Sequence, residues 1–247
     1  MRGLLAVIIL DLKRLWVDRV RLISSLIQPL LYLFVLGSGL GASSRLGTGN
    51  YLPYIFPGVV ALSLLFTSFF AAILIVFDRQ MGFLKAVLVA PVPRMSIAIG
   101  KILSGAIQAL VPGTIIMIFI PFIGLRPDWM SFLEFVAAAA FAAIAFSAMG
   151  VAVAARFKSM TVFPIVSNAL LLPMFFLSGA LYPLSTAPSW LQIAAHADPV
   201  AYGVDLMRGP LVGTHFFPVW LSIAVLTAFI AVSTWFATRI FTTGEDA

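Results

Sequence analysis

The chain has 247 residues, of which 62% are hydrophobic and only 10% are charged, and its mean hydropathy is +1.11. Soluble domains average roughly 45–50% apolar and about 25% charged residues, so this composition excludes a soluble globular domain and predicts that lipid surrounds most of the surface. The net charge of +6 then indicates basic residues beside membrane spans, not a nucleic-acid binding surface. Cysteine is absent, which excludes disulfides, thiolate metal sites and cysteine nucleophiles.

Residues 4–18 predict an amphipathic helix that lies in the membrane interface, with Trp16 at the level of the head groups. At 100° per residue, the apolar side chains fall on one face and the charged ones on the other. The apolar face holds Leu5, Ile8, Leu12, Leu15 and Trp16, and the polar face holds Asp11, Lys13, Arg14 and Asp18. The alternative is a fraying N-terminal extension.

Six apolar stretches follow, at about 22–41, 54–77, 97–123, 132–155, 161–181 and 216–240. A bilayer core of ~30 Å needs about 20 apolar residues for each helical crossing. Six crossings with short loops use up nearly the whole chain. We therefore predict an all-α integral membrane protein with one transmembrane domain over 1–247.

Residues 182–214 form the least regular part of the chain, because prolines at 183, 188, 199 and 210 divide it. Two pieces lie between these prolines, at 189–195 and 200–208, and each is too short to cross a bilayer. We predict that they form short external helices that are re-entrant or lie in the interface.

The loops between the predicted spans differ in their basic residues. All but three of the 15 lysines and arginines fall on one side of the predicted topology, the exceptions being Arg45, Arg126 and Arg208. The positive-inside rule makes the basic side cytoplasmic, in the cell membrane, with both termini inside. Two cytoplasmic termini require an even number of spans, in agreement with six.

Several kinds of chemistry are missing from the sequence. It contains no G-x-x-x-x-G-K-[ST] loop, and the glycines of 37–41 precede no helix start, so we expect ATP and Mg²⁺ to bind a partner and no cofactor to bind this chain. No predicted span carries an acidic residue or histidine at mid-depth, since Glu134 and Lys101 lie near span ends, where long side chains snorkel. This argues against an ion-coupled transporter and against a membrane-embedded enzyme.

His196 and His215, 19 residues apart, are interpreted as structural loop histidines, and we expect neither a catalytic residue nor a metal site.

The segment 78–94, after the second predicted span, differs from an ordinary connecting loop. Apolar side chains recur in it at helical spacing, at Phe83, Leu84, Val87, Leu88 and Val89. Exposed apolar surface of this kind marks a partner interface, and a short helix could insert these side chains into a partner's groove. Packing of the same helix on lipid head groups is the equal alternative.

This segment resembles the first cytoplasmic loop of type-2 ABC exporter permeases, a family of drug, polysaccharide and nodulation-factor export subunits. The resemblance is carried by residues 82–85, 88–94 and 100–101. A second match covers 175–183, 188–191 and 198–202, which resemble the family's fifth span, its external re-entrant helices and the segment before its last span. A weaker third match covers 54–58, and together the three span most of the chain in the expected order.

The resemblance implies a permease subunit of an ATP-driven exporter, which pairs with a second copy and docks on two separate ATPase subunits. Residues 80–94 would be the coupling helix seated in the ATPase, and residues 4–18 the connector helix. The implied coupling residues are Arg79, Gly82, Phe83, Leu84, Lys85, Leu88, Pro91, Pro93 and Arg94. This chain departs from the family at one position that concerns docking. The family often has an acidic residue where this chain has Ala86, so basic residues would contribute more to binding of the ATPase.

The resemblance also implies a pathway between two copies, lined by spans one, two and five, for an amphipathic, hydrophobic or lipid-like cargo such as a drug, a lipid or a glycan. Candidate lining residues are Phe66, Phe69, Phe70, Phe175 and Phe176, although ordinary packing explains any one of them as well. The residues assigned to the external re-entrant segment are Pro183, Trp190, Pro199 and Tyr202. Two alternatives remain: a membrane anchor for another complex, and an ion-coupled transporter.

Overall fold

The computed structural model describes residues 9, 11, 13, 19–37, 39, 51–81 and 93–243. Most of the predicted interfacial helix 4–18 and all of the loop 82–92 lie outside these residues. The described part of the chain is built from helices joined by short turns and contains no strand.

Nine α-helices follow one another along the described chain. They are α1 (Arg19–Leu31), α2 (Tyr51–Ala71), α3 (Ile73–Gln80), α4 (Arg94–Met117), α5 (Trp129–Ala154), α6 (Val162–Leu177), α7 (Ser189–Ala197), α8 (Pro199–Val212) and α9 (Val219–Thr243). A π-helical turn, Tyr32–Leu36, continues α1, and short 3₁₀ turns follow α4 and α6.

Four helical segments are long and apolar enough to cross a membrane: Tyr51–Gln80, Arg94–Met117, Trp129–Ala154 and Val219–Phe241. They coincide with the second, third, fourth and sixth predicted spans. The first and fifth predicted spans fall on two shorter apolar helices, Ile23–Leu36 and Val162–Leu177. These findings establish a helical membrane protein with four long candidate spans.

The helices pack closely where small residues face a neighbouring backbone. A Cβ atom on Gly58 of α2 would overlap the carbonyl oxygen of Ala180, and one on Gly150 of α5 would lie 2.8 Å from Cα of Phe69. Small residues let helices approach in a membrane, where van der Waals contact replaces the hydrophobic effect as the main source of association. The segment Tyr51–Gln80 is accordingly the most buried candidate span, at 78%, whereas the last is 17% buried.

The candidate span Tyr51–Gln80, which corresponds to the second predicted span, is interrupted at Ala72, between α2 and α3. The Ala72 N–H donates to Phe69 O at 3.1 Å, and the Ile75 N–H donates to Ala72 O at 2.9 Å. Both are i→i−3 bonds, which tighten the helix locally into a 3₁₀-like turn. The span therefore consists of a long arm, α2, and a short arm, α3.

Exposed tryptophans distinguish the two ends of the bundle. Trp129, Trp190 and Trp220 lie at the start of α5, α7 and α9, and each is at least 65% exposed. Tryptophan side chains favour the membrane–water interface, so these three indicate the head-group level at one end, here called the tryptophan end. The opposite end, which carries Arg79, Arg94 and the turn after α5, is called the basic end.

Candidate functional site

The two helices that border the loop 82–92 are joined to the rest of the bundle at the basic end. Of the predicted coupling residues, Gly82, Phe83, Leu84, Lys85, Leu88 and Pro91 lie outside the described residues. Arg79 lies in the last turn of α3, Pro93 is the N-cap of α4, and Arg94 is its first residue. The structure thus describes the two roots of the loop, at 78–81 and 93–94.

Arg79 connects the first root to the end of α5. Its Nη1 donates to Phe157 O and its Nη2 to Ala155 O, both at 2.9 Å, while Gln80 Nε2 donates to Lys158 O at 3.0 Å. The last carbonyls of a helix lack intrahelical partners and carry the negative end of its dipole. A planar guanidinium with two parallel donors suits two neighbouring carbonyls, so Arg79 acts as a C-terminal cap supplied by another helix.

Arg94 performs a similar function at the second root. Its Nη1 donates to Phe241 O, at the C-terminal end of α9, at 3.1 Å. Pro93 precedes it with an extended backbone (φ −57°, ψ 133°), which suits the entry into a helix because proline has no N–H to satisfy. Each root therefore carries an arginine that caps the end of a different candidate span.

A buried charge cluster joins the same two helices one layer deeper. Lys101 Nζ lies 3.1 Å from Asp11 Oδ1 and 3.2 Å from Asp78 Oδ2, and Ser104 Oγ donates to Asp11 Oδ2 at 2.9 Å. The two carboxylates are almost fully buried, and the Lys101 side chain is 10% exposed. We call Asp11, Asp78, Lys101 and Ser104 the lysine cluster.

The position of Lys101 differs from the prediction that this side chain snorkels to the surface. It lies seven residues into α4, about 10 Å along the helix axis, and turns inward to the carboxylates. A buried ammonium needs such partners, since its desolvation costs several kcal/mol. The cluster joins α3 and α4 to Asp11, one of the few described residues of the N-terminal segment.

The five phenylalanines predicted to line a pathway occupy different environments. Phe69 and Phe175 are fully buried within the chain: Phe69 stacks on Phe163 at 5.7 Å, and Phe175 meets Tyr32 edge-on at 6.0 Å. Phe66 and Phe70 are partly buried and contact each other, and Phe176 is 46% exposed. Phe176 alone among the five presents a largely open face.

The predicted external segment contains two helices, α7 and α8. Pro183 precedes a 3₁₀ turn, Pro199 is the first residue of α8, and Trp190 is exposed. Tyr202 is buried, stacks on Phe217 at 4.2 Å and donates to His196 O at 2.9 Å. Whether these helices are re-entrant stays a prediction.

Asp198 lies between the two helices, and its Oδ1 accepts the Val200 N–H at 2.9 Å as an N-cap. Burial raises the pKa of this carboxyl to about 7, although the Val200 hydrogen bond lowers it in part.

Arg208 is the buried cation of α8. It donates to Gly179 O at 2.8 Å, and its guanidinium carbon lies 4.2 Å from the ring centroid of Tyr54. This arrangement fixes the turn after α6 against α2 and α8. Within the described residues, no group of three histidine, aspartate or glutamate side chains could hold a metal ion.

A comparison with known protein families identifies the family of this chain. The family model of the ABC-2 type transporter matches residues 2–212. The chain belongs to the ABC-2 type transporter family. Among the curated relatives, Nodulation protein J of Rhizobium leguminosarum bv. viciae is 30% identical over 214 residues, which cover 85% of this chain and 82% of the relative.

Two further relatives extend the range of organisms. Nodulation protein J of Rhizobium meliloti (strain 1021) is 29% identical over 222 residues, with 89% of this chain and 84% of the relative covered. The "putative transport permease ycf38" of Cyanophora paradoxa is 30% identical over 205 residues, with 79% and 71% covered. The chain is therefore a membrane permease of an ABC transporter, and permeases of this family normally work with an ABC ATPase.

Sequence reasoning identified Arg79 and Arg94 but missed the lysine cluster. Asp11 and Asp78 were placed on a solvated face and in a loop, and Lys101 was expected at the surface. One signal was present: Asp78 and Lys101 carry opposite charges at the ends of two helices joined by a short loop, so antiparallel packing brings them to similar depth.

Proposed function

We propose that this permease is the membrane subunit of an ATP-driven exporter, which moves an amphipathic, hydrophobic or lipid-like cargo such as a drug, lipid or glycan out of the cytoplasm. ATP is hydrolysed on a separate ATPase. The observation that carries the proposal is the set of contacts at the roots of the loop 82–92. Through them, one peripheral segment is connected to the ends of α5 and α9 and to the N-terminal segment.

In the proposed topology the chain is one domain that crosses the membrane six times, with α1 and α6 as the two shorter spans. The basic end faces the cytoplasm, and both termini lie there, in the cell membrane. The distribution of basic residues supports this orientation, and Trp235, whose ring lies 5.1 Å from the guanidinium of Arg239, marks the head-group level at the basic end.

The loop 82–92 is the proposed docking element for the ATPase, with Phe83, Leu84 and Leu88 as its apolar anchors. ATP-driven movement of the ATPase would displace α3 and α4 together, because the ion pair of Lys101 and Asp78 joins these two helices. The arginine caps would then pass the displacement to α5 and α9. A switch of this kind needs contacts that differ between two states, and the caps are contacts that can exchange.

The proposed transport pathway lies between two copies of the chain. Support comes from apolar side chains that α1 and α6 leave exposed: Ile23, Ile27, Leu31, Phe34 and Val35 on the first, and Ile165, Leu170, Leu172 and Phe176 on the other. Phe66 and Phe70 stay candidates beside Phe176. One relative is named a putative transport permease, which supports a role in transport, and the lipid-like or glycan cargo is part of our proposal.

The test is co-expression of the permease with the ABC ATPase encoded beside it. The wild type is compared with a variant in which Phe83, Leu84 and Leu88 are replaced by Asp. A matched control replaces three lipid-exposed residues of α9, Ile223, Val232 and Phe236, by Ala. We expect the ATPase to co-purify with the wild type and the control, and to be lost from the Asp variant.

Equal binding to the Asp variant would overturn the docking role of the loop. Binding of no ATPase by any form would favour the alternative, a membrane anchor for another complex. ATP-independent transport driven by a proton or sodium gradient would favour an ion-coupled transporter.

A further inference from the structure

A pocket of about 670 Å³ lies at the tryptophan end of the molecule, where α5, α8 and α9 meet. The described residues that line it belong to these three helices and to the turn before α9, and so it is separate from the proposed pathway along α1, α2 and α6. Its lining comprises Ser131, Glu134, Ala137, Ala138, Phe141, Leu206, Gly209, Pro210, Gly213, His215, Val219 and Ile223. Its volume falls within the range of ordinary ligand sites.

The depth of the pocket is given by the tryptophans. Glu134 follows Trp129 by five residues, about 7 Å along α5, and Ile223 follows Trp220 by three residues on α9. The pocket thus begins just below the head-group level and extends towards the acyl chains. Its walls on α9 are open, since Val219 and Ile223 are both more than 40% exposed.

The polar wall of the pocket is acidic. Glu134 is exposed near the start of α5, and in the described part of the chain it makes no hydrogen bond or salt bridge. His215 is also in the lining, with its Nδ1 3.5 Å from Asp205 Oδ2. The Asp205 carboxylate is buried and also accepts the backbone N–H groups of Phe216 and Phe217, at 2.7 and 3.1 Å.

No basic side chain balances this wall among the lining residues that the structure describes. Arg208 is adjacent in sequence to Gly209, but its guanidinium is directed to Gly179 and Tyr54, on the α2 side of α8. The Ser131 hydroxyl donates to Asp128 at 2.5 Å, so its oxygen is left to accept a further hydrogen bond. Carboxylate and hydroxyl oxygens together suit an ammonium group, which has three donors and no acceptor.

The remaining wall is apolar. Ala137, Ala138 and Phe141 form it on α5, and Leu206, Val219 and Ile223 complete it on α8 and α9. The His215 ring packs directly over Gly209, where any side chain would collide with it, and this places the imidazole at the pocket wall. The pocket therefore has one polar side close to the head-group level and one apolar side below it.

We infer that this pocket binds an amine-headed phospholipid of the phosphatidylethanolamine type, with its ammonium group on Glu134 and Ser131 and part of an acyl chain along Ala137, Ala138 and Ile223. The inference goes beyond the proposed export function and needs neither the ATPase nor a cargo. In the proposed orientation the bound lipid would belong to the outer leaflet, and only this part of the inference depends on that orientation.

The test measures lipid retention by the full-length permease. The protein is equilibrated with vesicles that contain equal amounts of phosphatidylethanolamine and phosphatidylglycerol, extracted into mild detergent, and its bound lipids are quantified by native mass spectrometry. We expect the wild type to retain phosphatidylethanolamine in preference to phosphatidylglycerol. Glu134→Gln should lower that preference about three- to tenfold, because the charge-assisted bond to the amine is lost.

Two further variants separate the site from the general charge of this end. Arg126→Gln changes the charge of the tryptophan end by one unit at an exposed residue that does not line the pocket, and it should leave the preference unchanged. Ala138→Phe fills the apolar side and should reduce retention of both lipids, whereas Val232→Phe, on the exposed face of α9, should not.

The inference is overturned if Arg126→Gln changes the lipid preference as much as Glu134→Gln does, or if Ala138→Phe retains as much lipid as the wild type. Loss of ATPase binding would leave this result untouched, so failure of the export proposal and failure of the lipid site are distinguishable.

Discussion

Lys101 and Asp78 are 23 residues apart in sequence, yet Lys101 Nζ lies 3.2 Å from Asp78 Oδ2. The contact joins the two helices that border the loop 82–92. Asp11 adds the N-terminal segment to the same ammonium at 3.1 Å. Separation of α3 from α4 at this point would therefore isolate a buried charge.

Lys101→Met should destabilise the permease by about 3 kcal/mol or more, because two buried carboxylates lose their counter-ion. The measurement is thermal unfolding in detergent, and Lys13→Met, at an exposed lysine, is the matched control. Neutralising the carboxylates as well, in Asp11→Asn/Asp78→Asn/Lys101→Met, should restore part of the loss. A triple variant less stable than Lys101→Met would show that the charges are not what holds the cluster together.

Arg79→Lys should weaken coupling more than it weakens ATPase binding. A lysine is a point donor and cannot bond the Ala155 and Phe157 carbonyls in the parallel manner of a guanidinium. We expect the ATPase to co-purify as it does with the wild type. Transport per ATP hydrolysed should fall several-fold, which is the change expected when a hydrogen bond of about 1 kcal/mol is lost. Gln80→Ala, which removes one exposed hydrogen bond from the same turn, is the control and should change little.

Gly58→Ala should destabilise the bundle, because the added Cβ atom would collide with the backbone of Ala180. Overpacking of this kind costs about 1–3 kcal/mol, and here the neighbour is backbone and cannot change rotamer. Gly39→Ala is the control, since no atom of the residues that the structure describes lies within 4 Å of the position its Cβ would take. Equal melting temperatures for the two variants would show that α2 and the turn after α6 can separate freely.

Asp198 should make stability depend on pH between about 4 and 7. Its pKa is about 7 in the folded protein and 3.8 in the reference state, so over this interval the folded state holds a proton that the unfolded state has released. Stability is therefore greatest below pH 4 and is lost as the pH rises through 7, by at most about 1.4 kcal/mol per pH unit.

Asp198→Asn keeps the N-cap and removes this titration. The measurement is the difference in melting temperature between wild type and variant at pH 5 and at pH 8. The variant should gain relative to the wild type at pH 8, and a difference that does not change with pH would exclude Asp198 as the titrating group.

The long spans were predictable because hydropathy alone specifies them: a lipid solvent requires about 20 apolar residues in every crossing. The start of α7 at Ser189 was predictable from Pro188, and that of α8 was predictable to within one residue from Pro199. The start of α4 was not, since the helix begins at Arg94 and the predicted span at 97, and α8 continues through Pro210, which was expected to end it. These signals are local in sequence. Residue type and spacing were sufficient to find them.

The interior contacts were not predictable from the same signals. Phe69 and Phe175 are of the residue type expected in a pathway for apolar cargo. Whether such a ring faces a pathway or packs against Phe163 or Tyr32 depends on the rotation of the helix about its axis, which hydropathy does not report. The proposed lipid pocket is lined by Glu134 of α5, Leu206 of α8 and Ile223 of α9, which are distant in sequence. Three-dimensional packing alone brings such residues together.

The 3₁₀-like turn at Ala72 is a hinge between the two arms of the second predicted span. The long arm is held at Gly58 and near Gly150, while the short arm, α3, bears Asp78 and Arg79 at its tip. Eight residues make an arm of about 12 Å, so a rotation of about 20° at the joint displaces the tip by about 4 Å. A displacement of this size at the basic end leaves the tight packing of the long arm intact. In the proposed coupling it would act on the Arg79 cap at the end of α5 while the core around Gly58 and Gly150 stays packed.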